Sequence, residues 1–218
     1  LFPLHFFASS ALARLFDGSP ASRLAVAGGL TAALFGALPA AVAWWNRVPL
    51  TDAWRLRAPP AVVWLAALVL GFGAWPWVYE LVLFVQQLGI HALDEEKKAA
   101  VEKLLEGWKT VPLALIILTL GVIPGICEEL FFRGVLYGGV RREFGGWTAV
   151  VVTGLAFGLF HIVLAGGAAP ERLVPSTILG LWLGWIRLRS GSTLPGIVLH
   201  VCHNSTLLAM THYRAELA

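Results

Sequence analysis

The sequence predicts an all-α, polytopic transmembrane helical bundle of about six spans. Composition is the first observation behind this. Hydrophobic residues fill 58% of the 218 positions and charged residues 13%, against roughly 25% charged in soluble domains. The second is a mean hydropathy of +0.76, which no water-soluble chain of this size can hide from solvent. The third is that the apolar residues gather into runs near the roughly 20 residues needed to cross a bilayer. The same composition excludes a disordered chain, a collagen-like repeat, a disulfide scaffold and a nucleic-acid-binding module. The net charge of +3 does not imply a nucleic-acid partner. Its basic residues stand singly or in pairs between apolar runs, where they face anionic lipid.

The opening LFPLHFFASSALARLF lacks a basic leader and reads as an interfacial helix or the end of a span, not a signal peptide. Leu24 to Trp45 is the first complete span. Ala61 to Val85 is the second, interrupted by Pro76 and carrying Glu80. From His91 to Lys109 the charges and spaced leucines describe an amphipathic helix, water-exposed or interfacial. Val111 to Val140 is a third span, with Gly121, Pro124 and Gly125 inside it and a bend expected near Pro124. Trp147 to Leu164 follows, then the polar loop GGAAPER, a short span from Leu173 to Ile186, and another from Leu194 to Met210. Arg47, Arg55, Arg57, Arg141, Arg142, Arg187 and Arg189 count toward one side of the membrane, which this excess marks as cytoplasmic. The chain begins at Leu1 and its only methionine is Met210, so it reads as a piece of a longer protein.

Ionisable side chains inside a span cost at least about 2.5 kcal/mol each and mark function by default. Here they cluster in GICEELFFRG (Gly125 to Gly134), FGLFH (Phe157 to His161) and HVCHN (His200 to Asn204). Residues four apart on a helix lie only about 40° from one another. Glu129 and Arg133 therefore share a face and can pair, which leaves Glu128 free to face a cavity. His200 and Asn204 can present an imidazole and an amide to one point. His203 lies about 60° from His200, so spacing does not separate the two. A carboxylate beside a histidine can hold and deprotonate water. A histidine and an amide can donate to the oxygen of a tetrahedral intermediate. Together they are parts of a peptide-bond hydrolase. Glu128, His161 and His200 equally suit zinc as a metal set, although no HExxH is present.

At these residues the chain resembles the CPBP intramembrane proteases, also called CAAX-protease or Abi proteins. EELFFR (Glu128 to Arg133) is similar to their EExxxR, FGLFH to their FxxxH, and His200 to Asn204 to their HxxxN. The motifs occur in the family's order between Pro112 and Met210. The resemblance implies a CAAX-protease-like catalytic core over 111–218, preceded over 1–110 by N-terminal spans and an amphipathic linker helix, all one structural unit. It implies a water-activating glutamate at Glu128, helped by His161, and an oxyanion site at His200 and Asn204. Members are often labelled metalloproteases, so zinc is the one cofactor it brings into view. The expected substrates are peptides or proteins in the membrane, CaaX-type prenylated proteins among them. The expected location is the bacterial inner membrane, in contact with the lipid bilayer. Some members resemble the C-terminal part of an ABC-type permease, which would then lie upstream of Leu1.

Each singled-out residue has a plainer reading. Polar contacts do act as glue in helix bundles, but they seldom gather two carboxylates, an arginine, two histidines and an asparagine. Arg133 is expected to orient Glu129, and Phe157 to pack under His161. Glu80 can pair with Arg133, line a cavity or sit at the interface. Cys127 and Cys202 flank motif residues, yet Cys202 lies about 160° round the helix from His200, which argues against a thiol nucleophile. The rival to an enzyme is a non-catalytic accessory or immunity-type binder attached to an ABC-type transporter. Such a binder would have no need of the full Glu128, His161, His200 and Asn204 set.

Overall fold

In the computed structural model, residues 18–89, 95–164 and 172–213 are described, and these are all helix and connecting turns. The opening segment read as an interfacial helix lies outside them, as does the GGAAPER loop apart from Arg172. Ser19 caps the first helix, its hydroxyl accepting from the Ser22 amide at 3.3 Å, and Pro20 fills the first helical position, where no donor is needed. This helix, α1, is Pro20–Trp45. A short α2 (Leu50–Ala53) leads to α3 (Ala61–Gly73) and α4 (Trp75–Gln87). The break between α3 and α4 falls beside Pro76, which supplies no amide to the preceding turn, and bends the pair by 43°. The amphipathic stretch forms α5 (Glu95–Trp108).

The motif-bearing helix, α6 (Leu113–Phe144), runs unbroken through Pro124. Just before the proline, Ile117–Val122 widens into a π turn, with the Ile123 amide reaching back to the Leu118 carbonyl. That wider turn accommodates the missing proline donor without ending the helix. A second π turn, Leu130–Leu136, follows the two glutamates. Three helices complete the bundle: α7 (Gly146–Leu164), α8 (Leu173–Ser190) and α9 (Leu194–His212).

Among the described residues, two helices, α1 and α6, are long and apolar enough to cross a membrane, or three if the bent α3–α4 pair is one span. This is fewer than the sequence reading of about six. The difference lies in the last three helices. The described part of α7 is apolar but short, while α8 and α9 carry arginines and histidines that lower their hydropathy.

The core is where α1, α3, α6, α7, α8 and α9 meet. Phe35, Ala67, Phe132, Phe157, Phe160, Leu183 and Leu199 form one buried cluster, with Phe35 edge-on to Phe160 at 5.0 Å and Phe132 edge-on to Phe157 at 5.2 Å. Leu24, Val111 and Ile116 form a second cluster that ties α1 to the start of α6. Gly71 lets α3 lie directly on α9, since a Cβ there would stand 2.7 Å from Cys202 Cβ and 2.9 Å from the Leu199 carbonyl. The turn after α2 is pinned to the start of α9. Thr193 donates its hydroxyl to the Trp54 carbonyl at 2.6 Å and its amide to the Arg55 carbonyl at 3.3 Å.

One arginine of the charge count packs inside the bundle. Arg187, counted among the loop arginines that set topology, is 4% exposed within α8. Its Nε donates to the Arg133 carbonyl at 3.1 Å, and its guanidinium lies 5.1 Å from the Tyr137 ring centroid. The helix continues past Ile186 to Ser190, and this brings the side chain inward.

Candidate active site

Glu128 and Glu129 end the α-helical turn ahead of the second π segment of α6, and both are buried. The spacing of four puts Arg133 under Glu129, and Arg133 Nη1 donates to Glu129 Oε1 at 2.7 Å. Arg133 Nη2 donates to the Gly180 carbonyl of α8 at 2.8 Å. Its guanidinium carbon also lies 4.6 Å from the centre of the Phe157 ring. A fully buried arginine is tolerated only with such a counter-charge and acceptor set. Gly196 on α9 makes room for this pair, because a Cβ there would lie 2.8 Å from Glu129 Oε2.

His200 reaches the same carboxylate from α9. Its Nδ1 lies 3.3 Å from Glu129 Oε1, and its Nε2 points the other way, 4.0 Å from Glu128 Oε2. Glu128 Oε2 is buried with no hydrogen-bond partner. His161, on α7, donates from Nδ1 to the Phe157 carbonyl at 2.9 Å, since a carbonyl can only accept. Phe157 is the shared platform, its ring centre 4.5 Å from that of His161 and 5.5 Å from that of His200. Asn204 lies one turn beyond His200 and is half-buried. Among the described residues, no hydrogen bond or ion pair joins His161 or Asn204 to either glutamate.

The structure therefore brings Glu128, Glu129, Arg133 and His200 into one contact network and sets His161 against it through Phe157, with Asn204 one turn along α9 from His200. The packing is tight: Glu129 and Arg133 are 0% exposed, His200 1% and Glu128 4%. An apolar cavity of about 430 Å³ does occur, between α4 and α8, lined by Trp77, Val78, Leu81, Pro175, Ile178, Leu179 and Trp182. No motif residue lines it. Among the described residues, no three His, Cys, Asp or Glu side chains group closely enough to hold a metal ion. Glu128, His161 and His200 thus do not form a zinc site in this arrangement.

The remaining sequence candidates separate cleanly. Glu80 is exposed on α4, away from Arg133. Cys127 and Cys202 are free and half-buried, Cys127 against Gly36 of α1 and Cys202 against Gly71 of α3. His203 is 2% exposed, with Nδ1 unpartnered. Sequence reasoning missed the residues that hold the network in place. Arg187 grips the backbone at Arg133, the Gly180 carbonyl accepts from the guanidinium of Arg133, and Gly196 admits Glu129. An arginine inside an apolar run was the available signal for the first; the two glycines carried none.

With this geometry in view, comparison with known proteins is informative. Residues 110–206 match the family described as type II CAAX prenyl endopeptidase Rce1-like. This segment is CAAX-protease-like. The match contains all three motifs and runs from the turn before α6 to within α9. No curated protein and no solved structure matches the chain. In this CAAX-protease-like segment, EExxxR supplies the glutamates and arginine of the network, FxxxH its aromatic platform and His161, and HxxxN its His200.

Proposed function

We propose that this integral membrane protein is an intramembrane endopeptidase, hydrolysing peptide bonds of membrane-associated proteins or peptides with water activated by Glu128. CaaX-type prenylated chains are the substrate class that the family match favours. The observation that carries the reading is the buried, unpartnered Oε2 of Glu128 facing His200 Nε2 at 4.0 Å. A carboxylate oxygen without a partner in a dry core is destabilising, and it is the acceptor a water nucleophile requires.

The residues divide the work. Glu128 takes a proton from water as the water oxygen bonds to the scissile carbonyl carbon. His161, with its proton on Nδ1, has Nε2 free as a second acceptor to hold that water. Asn204 offers its amide to the resulting oxyanion, and His200 does so once its Nε2 carries a proton. Protonation of the departing amine then completes cleavage. Each of these steps is carried by side chains of the chain itself. The multi-pass chain belongs, in this proposal, to a bacterial inner membrane, with an ABC-type permease part as the candidate neighbour upstream.

The test uses the full chain in lipid vesicles with a fluorogenic farnesylated CaaX peptide and its unprenylated counterpart. The wild type should cleave the farnesylated peptide, and Glu128→Gln should lose about 100- to 10,000-fold in rate. Turnover by Glu128→Gln at the wild-type rate would overturn the assignment. Loss of activity with chelator, restored by zinc, would recast Glu128 and the histidines as ligands.

A further inference from the structure

We infer that Glu129 is a positioning residue that fixes a proton on Nδ1 of His200, so that Nε2, facing Glu128, is the only ring atom that gains or loses a proton during the reaction. The inference rests on the proposed hydrolytic reading of the site and adds to it a direction for proton traffic.

The geometry argues this from both sides of the ring. Nδ1 is within hydrogen-bond range of Glu129 Oε1 at 3.3 Å. That oxygen already accepts from Arg133 at 2.7 Å, so it is held as a carboxylate acceptor and can only be approached by a donor. A bare Nδ1 would set a lone pair against a negatively charged oxygen in a dry core. Nε2 has no such constraint, being 4.0 Å from Glu128 Oε2 and beyond direct hydrogen-bond range. Turning the ring over would face carbons to both carboxylates, so the orientation is set by the pair of glutamates together. Arg133 is anchored to the Gly180 carbonyl, and its own carbonyl is held by Arg187. The chain of control thus runs from α8 through Arg133 and Glu129 to the imidazole. This is the logic by which a buried acid sets the tautomer of a catalytic histidine.

A consequence for the chemistry follows. A neutral His200 cannot donate from Nε2, so it enters the cycle as an acceptor. As the water O–H bond breaks, the proton that Glu128 takes can pass to Nε2. The imidazolium then donates to the oxyanion and gives that proton to the amine nitrogen as the C–N bond breaks. Water gives up one proton, which ends on the amine nitrogen; the other stays on the hydroxyl of the carboxylic acid product, and His200 ends as it began.

The test is nitrogen magic-angle-spinning NMR on the full chain in lipid bilayers, with ¹⁵N-histidine. His200 is assigned by its loss in His200→Asn, and His161, whose Nδ1 donates to a carbonyl, serves as an internal standard. The expected result is a resting ring whose Nδ1 carries the proton and whose Nε2 is bare. A neutral ring carrying its proton on Nε2, or an Nε2 protonated throughout, would overturn the inference. In Glu129→Gln the Nε2-protonated form should grow and kcat should fall with KM nearly unchanged; an unaltered tautomer would remove Glu129 from the role. The wild-type spectrum decides the matter even if that variant folds poorly. Because it needs no substrate, it stands or falls apart from whether the chain is a peptidase.

Discussion

On one side of α6, Glu129 is held through one oxygen: Oε1 accepts from Arg133 at 2.7 Å and lies 3.3 Å from His200 Nδ1, while Oε2 has no hydrogen-bond partner. On the other side, Glu128 is almost as deep and its Oε2 is also unpartnered, but it has no arginine beside it, and His200 Nε2 stands 4.0 Å away. The two are neighbours in sequence, rotated by about 100°, and that rotation separates a carboxylate paired with an arginine from one without such a pair. Charge pairing makes Glu129 safe to bury and leaves it little to offer a substrate. Glu128 keeps its reactivity because no arginine stands four residues beyond it. A protein that retains an unsatisfied carboxylate in its best-packed region sacrifices stability for chemistry.

The sharpest way to break this comparison is to remove the counter-charge. Arg133→Ala strands Glu129 in the core and should destabilise the protein by about 3–5 kcal/mol, read as a lowered unfolding midpoint in detergent. Glu128→Gln, by contrast, should leave that midpoint unchanged or raise it while abolishing turnover. If the two variants melt alike, the division of labour between the glutamates is wrong. A smaller effect comes from Gly196→Ala. Its new methyl meets Glu129 Oε2, and overpacking of this kind costs about 1–3 kcal/mol. Activity should fall with stability, since the shifted carboxylate drags His200 with it. The smallest effects belong to the thiols. Cys127→Ser should keep turnover within about twofold, because a nucleophile's loss would cost several orders of magnitude. Cys202→Ala, lying against Gly71, should change packing slightly and rate hardly at all; a dead Cys202→Ala would reopen a thiol route.

Much of the site was legible because a charge inside an apolar run has few innocent explanations. The i, i+4 rule paired Glu129 with Arg133 without any tertiary information, and Pro76 announced the break between α3 and α4. What spacing could not supply was the third dimension. His200 was read with Asn204 from their shared helix face, whereas its nearest partner is Glu129, on another helix 71 positions away. The inward placement of Arg187 was hidden for a related reason, since hydropathy ends a span at a charge while the helix itself continues to Ser190. The count of spans suffered from the same cause in reverse: the polar groups that build the site are those that make α8 and α9 look unlike membrane helices. α6 continues through Pro124 because a π turn ahead of it accommodates the lost donor, and no residue pattern announces a π turn.

The hook between Thr193 and the Trp54 carbonyl joins residues 139 positions apart, and it has a meaning in time as well as space. Synthesis proceeds from the N-terminus at about 5–20 residues per second, so the turn after α2 waits for several seconds with its carbonyls unclaimed. During that interval Glu128 and Glu129 are already made, but His200 and Asn204 are not. Docking of α9 closes the hook and delivers the imidazole in the same event. A half-made chain is therefore a chain without its histidine clamp.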